Sequence, residues 1–190
     1  MSDAHNLPKG VKAATRSFIT SCPQFKPQKN FAGKHNKLVK KLKDKLASCG
    51  FVCETESSIK IEGRAGRIDL SCERGHNLYV IEVKGFERRD PQLFHLTDIL
   101  QLTSYALALN KKRDVIKAIL LYRDDVEHLL KLDNPSKCSA FLEKRAIRYE
   151  DYKELVEELL NAPIPWGRII GPYCLYCVNY DRCFNLSQGG

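Results

Sequence analysis

The sequence predicts a mixed α/β domain in which helices and strands alternate along the chain. Three observations support this prediction. Leucines recur every fourth residue between 38 and 46, a turn at 74–77 separates two apolar runs, and an apolar helix at 97–110 precedes an apolar strand. The length of 190 residues suits one domain whose core needs no disulfide bonds to hold it.

The first helix is predicted over Gly33–Ser48. Lysines fill one side of this helix, and Gly50 is a suitable residue for its C-terminal end. His35 falls on the opposite, apolar side, which also carries three leucines spaced four residues apart: Leu38, Leu42 and Leu46.

The next predicted elements are two strands, a buried helix and a third strand. Arg64–Ser71 and Leu78–Lys84 are strand-like, and the turn residues Arg74–Asn77 between them predict a hairpin. Thr97–Asn110 is apolar on most sides, which predicts a buried helix. The continuous apolar run of Val115–Tyr122 predicts a strand.

Beyond residue 122 the pattern becomes more polar. Asp124 and Asp125 predict a turn into a second strand near Val126–Leu132. Two charged surface helices are predicted after it, at Ser136–Ile147 and Glu150–Leu160.

The positive charge is concentrated at the start of the chain. The whole sequence carries a formal charge of +8, but residues 1–50 alone carry +9 and the remainder carries −1. A basic block of this kind indicates a surface that meets a polyanion, although a merely solvated lysine-rich face is the alternative. No apolar run is long enough to span a membrane, and Met1–Gly10 lacks the apolar segment of a secretory signal, so we expect a cytoplasmic protein.

Asp69 and the Glu82-Val83-Lys84 run form the sharpest local pattern. A two- or four-residue turn would place Asp69 on the same face as Glu82, and a two-residue turn at 75–76 would place the two opposite each other. A three-residue turn would put Asp69 on the other face. Two neighbouring carboxylates with apolar flanks repel each other unless a cation neutralises them, and Mg²⁺ or Mn²⁺ binds such oxygens. Lys84 beside them could stabilise charge that develops on a phosphate. An exposed charged pair is the alternative.

These residues resemble the core of the PD-(D/E)xK nuclease superfamily, and two further matches resemble its RecB-like branch. Those matches are His35 on an upstream helix and Gln101-x-x-x-Tyr105 after the core strands. The resemblance covers residues 22–183. It implies a restriction-endonuclease-like α/β core with a mixed central sheet flanked by helices. From the residues alone, His35 and Tyr105 could simply be core, and Gln101 could form a capping box with Asp98 as the N-cap.

The resemblance also divides the chain. Residues 1–190 would be a single nuclease domain, with an N-terminal arm at 1–32 and a nuclease core at 33–133. Surface helices would occupy 134–161, and a cysteine-bearing tail would occupy 162–190.

The cysteines fall into two groups of four. Cys174, Cys177 and Cys183 have the close spacing of metal ligands, and Cys22 is the candidate for a fourth. This distribution resembles the iron–sulfur staple of the CRISPR-associated RecB-like exonuclease family, which favours a 4Fe–4S over a 2Fe–2S cluster and leaves structural zinc as the alternative. The others are expected to be reduced packing residues: Cys49, Cys53, Cys72 and Cys138.

The function that the resemblance implies is a Mn²⁺- or Mg²⁺-dependent DNA exonuclease acting on single-stranded ends. It would process fragments during CRISPR spacer acquisition, with the integrase proteins as partners and no membrane. The implied divalent-cation ligands are His35, Asp69, Glu82 and the Val83 carbonyl. The candidate catalytic residues are Asp69, Glu82, Lys84, His35, Gln101 and Tyr105. The candidate DNA-binding residues are Lys34, Lys37, Lys40 and Lys41.

Two other functions stay open at this point. One is a RecB-like repair or restriction nuclease outside CRISPR, which shares all of these residues. The other is a non-catalytic nucleic-acid-binding module stapled by zinc, which would bind DNA without cutting it and would be colourless.

The cysteine pattern makes a prediction of its own. Cys174→Ala should remove the visible absorption of the purified protein and lower its thermal unfolding midpoint, because a cluster that joins both chain ends restricts the unfolded chain. Absorption spectra and thermal melts of wild type and variant test this. Unchanged colour and unchanged stability would contradict the staple.

Overall fold

A computed structural model describes residues 32–61, 64–85, 92–110 and 116–161 of the chain. The N-terminal arm and the tail, which carry the predicted cluster ligands, lie outside the described residues. The cluster therefore stays a prediction from the sequence. None of the described helices is long and apolar enough to cross a membrane.

Five strands and five helices make up the described part of the fold, and a short 3-10 helix at Tyr149–Tyr152 completes it. The strands are β1 (Val52–Ile61), β2 (Arg64–Arg74), β3 (Asn77–Val83), β4 (Ile116–Leu121) and β5 (Ala146–Ile147). The helices are α1 (Ala32–Ser48), α2 (Gln92–Asn110), α3 (Arg123–Leu130), α4 (Pro135–Lys144) and α5 (Lys153–Asn161).

The strands form one mixed sheet in the order β1-β2-β3-β4-β5. Only β3 and β4 pair in parallel, and the other three neighbouring pairs are antiparallel. The parallel pair is joined by α2, which is the crossover that parallel neighbours require. The prediction of a mixed α/β fold with a mixed central sheet and flanking helices is confirmed at this level.

The hairpin between β2 and β3 has a two-residue turn, which lies within the predicted turn residues Arg74–Asn77 and is one of the loop lengths left open above. Arg74 pairs with Asn77 and Leu70 pairs with Ile81, so Gly75 and His76 form the loop. Gly75 has a φ of 59°, a left-handed conformation that two-residue hairpin loops favour and that glycine adopts without steric cost.

Alternate residues of β3 pack into two cores on opposite faces of the sheet. Leu78 and Val80 lie in the core that α2 covers, whereas Tyr79, Ile81 and Val83 lie in the core that α1 covers. The pattern of α1 is as predicted, since Leu42 and Leu46 are fully buried and Gly50 ends the segment with a φ of 83°. Glu82 continues the even positions of β3 and therefore faces α2.

One predicted strand is wrong, and two strands were not predicted: β1, and β5, which lies inside the helix predicted over Ser136–Ile147 because that helix ends at Lys144. The segment near Val126–Leu132 is mostly the helix α3, because the Asp125 carboxylate accepts a hydrogen bond from the Tyr122 N–H and begins a helix where a turn was expected. The strand β1 escaped prediction because it is a polar edge strand whose side chains are mostly exposed.

The prediction for the four non-ligand cysteines is also wrong. Cys53 and Cys72 are bonded across the β1–β2 ladder, where they are direct partners in register. Cys49, just after α1, is bonded to Cys138 in α4. Three of the four cysteines are buried, as expected. The disulfide partners, however, lie on different parts of the fold, which spacing along the chain cannot show.

The two disulfide bonds should contribute unequally to stability. They close loops with sequence separations of 89 and 19 residues, for which the chain-entropy relation gives about 4.5 and about 3 kcal/mol. We therefore expect the Cys49→Ser/Cys138→Ser variant to lose more unfolding free energy than Cys53→Ser/Cys72→Ser in denaturant titrations. Repeating the titrations with a thiol reductant should remove most of the difference from wild type. A wild type that is insensitive to the reductant would contradict both bonds.

Candidate functional site

Lys84 is a buried lysine at the end of β3, and its ammonium lies between two carboxylates. Its Nζ is 2.8 Å from Glu82 Oε1 and 2.9 Å from Asp98 Oδ1, and Gln101 Oε1 lies 3.4 Å away. Its backbone N–H donates to the Leu121 carbonyl of β4 at 2.8 Å. The side chain is only 6% exposed, so these contacts replace the water that an ammonium normally requires.

This environment keeps Lys84 charged. Burial lowers its pKa, but the charges of Asp98 and Glu82 and the hydrogen bonds from the ammonium to both carboxylates outweigh burial and raise the pKa well above its ordinary value. The residue can therefore supply a fixed positive charge, whereas it is a poor proton acceptor.

Gln101 and Tyr105 orient Glu82 from α2. The Gln101 Nε2 donates to Glu82 Oε1 and to the Tyr105 hydroxyl, both at 3.0 Å. The four-residue spacing places both side chains on one helix face, as expected. Both are buried, and the pKa of Tyr105 is raised by this burial and by the charge of Glu82. The capping-box interpretation is wrong, because Asp98 lies inside a helix that begins at Gln92.

The ring of Tyr105 fits because residue 66 is a glycine. A Cβ added at Gly66 would stand 2.6 Å from Tyr105 Cε1 and 3.0 Å from Ile59 Cγ2. Since Tyr105 is buried, the ring has little room to withdraw. Gly66 therefore allows β2 to approach α2 closely enough for the Tyr105–Gln101–Glu82 chain to form.

Asp69 contacts α1 and the end of β3. Its Oδ1 is 3.3 Å from His35 Nε2, and its Oδ2 accepts a hydrogen bond from the Val83 N–H at 2.9 Å. Burial raises the pKa of Asp69, but the hydrogen bonds from His35 and Val83 and the charges of His35 and Lys84 bring it below the usual value. The His35 side chain is 27% exposed, which excludes the purely core role for it.

The strand is irregular at Asp69. The β1–β2 register runs without a break from Val52 to Thr55 and resumes at Ser57, and the omitted residue, Glu56, has a φ of 57°. On β2, Ile68 belongs to the core under α2 and Leu70 to the core under α1. Asp69 thus lies between a residue of β2 that packs in the core under α2 and one that packs in the core under α1.

The two carboxylates of the motif have different partners. The register of the hairpin ends at the pair of Leu70 with Ile81, one position before Asp69 and Glu82, so the predicted pairing of the two carboxylates is not part of it. Asp69 contacts His35 and the Val83 N–H, while Glu82 contacts Lys84 and Gln101. In the part of the chain that the structure describes, no three His, Cys, Asp or Glu side chains are grouped to hold a metal ion. In kind, an imidazole nitrogen and two carboxylates suit Mn²⁺ or Mg²⁺.

The lysines of α1 are on its exposed side. Lys37, Lys40 and Lys41 are exposed, whereas Lys45 donates to the Leu132 carbonyl. The side chain of Lys34 lies outside the described residues. The helix that contributes His35 therefore also carries a basic surface within about two turns.

Comparisons with known proteins give little. No protein-family model matches the chain, and no curated protein matches it. Among solved structures, it is similar to the crystal structure of an XisH family protein from Nostoc punctiforme PCC 73102. That likeness has 18% sequence identity and a TM-score of 0.34 over 60% of this chain and 96% of the other.

The roles of two residues of the site were missed by the sequence analysis. Asp98 was considered only as an N-cap, and only its position three residues before Gln101, on the same helix face, could have indicated its contact with Lys84. Gly66 opens the Gly-x-Ile-Asp run that ends at Asp69 and was given no role of its own, although a glycine inside a strand marks a close approach of another group.

Filling the space at Gly66 should disturb Tyr105. We expect Gly66→Ala to lower the unfolding free energy by about 1–3 kcal/mol, because the added methyl group forces the ring aside. Urea titrations test this. The matched control is Gly66→Ala in a Tyr105→Leu background, where the cost should shrink; an equal cost in both backgrounds would contradict the contact.

The lowered pKa of Asp69 predicts a pH-dependent contribution to stability. Since its folded pKa lies below the unfolded value of 3.8, the contribution is complete above pH 3.8 and disappears as the pH falls through the folded pKa. Asp69→Asn should cost about 1–3 kcal/mol at pH 7 and less at pH 3. Unfolding free energies of both proteins at the two pH values test this. A difference that grows towards pH 3 would have the wrong sign.

Proposed function

We propose that this chain is a metal-dependent deoxyribonuclease with a PD-(D/E)xK core. The observation that carries the proposal is the buried chain of contacts among Lys84, Glu82, Gln101 and Tyr105, which meets the Asp69–His35 pair at the Val83 N–H. These are the residues that the resemblance implies for catalysis, and they come from β2, β3, α1 and α2.

The proposal gives each residue a role. A bound Mn²⁺ or Mg²⁺, held by His35, Asp69, Glu82 and the Val83 carbonyl, would polarise the scissile phosphate and acidify a water molecule. The Lys84 ammonium offsets negative charge that develops on the phosphate. Gln101 and Tyr105 are positioning residues, because they are buried and act through Glu82.

The exposed lysines of α1 support a nucleic acid as the substrate. They form a positive surface on the helix that also carries His35, on the solvent-facing side opposite to it. Such contacts are largely independent of base sequence and weaken with salt. The proposal also includes action on single-stranded DNA ends and a 4Fe–4S cluster. It further includes a role in CRISPR spacer acquisition together with the integrase.

The proposal predicts cleavage that needs both Asp69 and a divalent cation. Purified wild type with Mn²⁺ should degrade end-labelled single-stranded DNA, and chelation of the metal should stop it. Asp69→Ala should reduce the rate at least about 100-fold, because loss of a metal ligand exceeds the 10–100-fold typical of the residues that support ligands. Asp133→Asn, which changes an exposed aspartate far along the chain, is the control and should cleave normally.

The same gels separate the other outcomes. Products that shorten from a labelled end indicate an exonuclease, whereas internal fragments indicate an endonuclease. Cleavage that survives Asp69→Ala or chelation would contradict the mechanism. Binding of DNA without cleavage by the wild type would favour the non-catalytic module.

A further inference from the structure

Asp98 is a largely buried carboxylate with no part in the chemistry proposed above. Its side chain is 13% exposed, its Oδ1 is 2.9 Å from Lys84 Nζ, and its Oδ2 is 3.5 Å from the Tyr122 hydroxyl. A carboxylate placed so far from water is costly unless it is paired with a charge. Lys84 supplies that charge, and Asp98 in turn gives Lys84 a second carboxylate partner beside Glu82.

The charges of Glu82, Lys84 and Asp98 together indicate what Asp98 does. If Glu82 were the sole anion bound to Lys84, that pair would be neutral. A divalent cation that bound Glu82 would then leave the buried ammonium without an anionic partner. With Asp98 present, the three side chains carry a net charge of −1. Lys84 then keeps a close anionic partner when Glu82 turns to another cation.

We propose that Asp98 is a positioning residue that retains the Lys84 ammonium, so that the charge of Glu82 remains available to a divalent cation. This inference rests on the proposed function, since it concerns the same site. On this view Lys84 and the divalent cation compete for Glu82, and Asp98 raises the affinity of Glu82 for the divalent cation by binding Lys84. The donor atoms involved are those already present: Glu82 Oε1, Asp98 Oδ1 and Lys84 Nζ.

The test measures Mn²⁺ binding without DNA, by titration calorimetry or by the electron paramagnetic resonance of free Mn²⁺. Asp98→Asn should raise the Mn²⁺ dissociation constant roughly tenfold, because Lys84 then pairs with Glu82 alone. Lys84→Gln should lower the constant, because the competing ammonium is gone, and should abolish cleavage. Asp133→Asn should leave both unchanged.

The double variant Asp98→Asn/Lys84→Gln separates positioning from a direct effect of charge. If Asp98 acts through Lys84, the Mn²⁺ dissociation constant of the double variant is within about twofold of that of Lys84→Gln. This comparison does not require Asp98→Asn alone to fold. A further drop in affinity in the double variant would overturn the inference, as would wild-type affinity in Asp98→Asn.

The nuclease assay keeps the two proposals apart. A wild type that binds Mn²⁺ and cleaves DNA, with Asp98→Asn identical to it, overturns only the role of Asp98. A wild type that neither binds Mn²⁺ nor cleaves DNA overturns the proposed function and, with it, this inference.

Discussion

The buried ammonium of Lys84 is the constraint on which the site depends. A charge removed from water needs close partners of opposite sign and hydrogen-bond acceptors in the right directions. Lys84 finds them on two elements, Glu82 on its own strand and Asp98 and Gln101 on α2. The position of α2 over β3 is therefore fixed by electrostatics as well as by the apolar residues around it.

The end of β3 is held differently on its two sides. Towards β4, the Lys84 N–H donates to the Leu121 carbonyl and extends the parallel pairing by backbone contact. Towards β2, the Val83 N–H donates to the Asp69 carboxylate in place of a strand carbonyl. A buried N–H must be satisfied, so this bond fixes Asp69 to the backbone of β3. Since β3 also carries Glu82, the bond holds the two candidate metal ligands in position relative to each other.

Strong local patterns predicted most of the fold around the site. The leucine repeat of α1 and the turn within Arg74–Asn77 depend on neighbours in sequence, and both were predicted correctly, although the length of the turn was left open. The start of α3 was not, because the Asp125 side chain caps a helix where two aspartates usually indicate a turn. The disulfide partners and the role of Asp98 depend on contacts between distant elements, which no spacing rule contains.

The motif residues show what register can and cannot determine. The hairpin register ends at Leu70 and Ile81, although parity along the chain alone would make Asp69 and Glu82 the next facing pair. The carboxylates have separate partners because β2 changes core at Asp69, so that Asp69 contacts His35 of α1 whereas Glu82 faces α2. Glu82 also contacts the Lys84 ammonium. Any cation that binds both carboxylates must therefore exchange with an internal one, and the free energy of that exchange depends on the anion that Lys84 keeps.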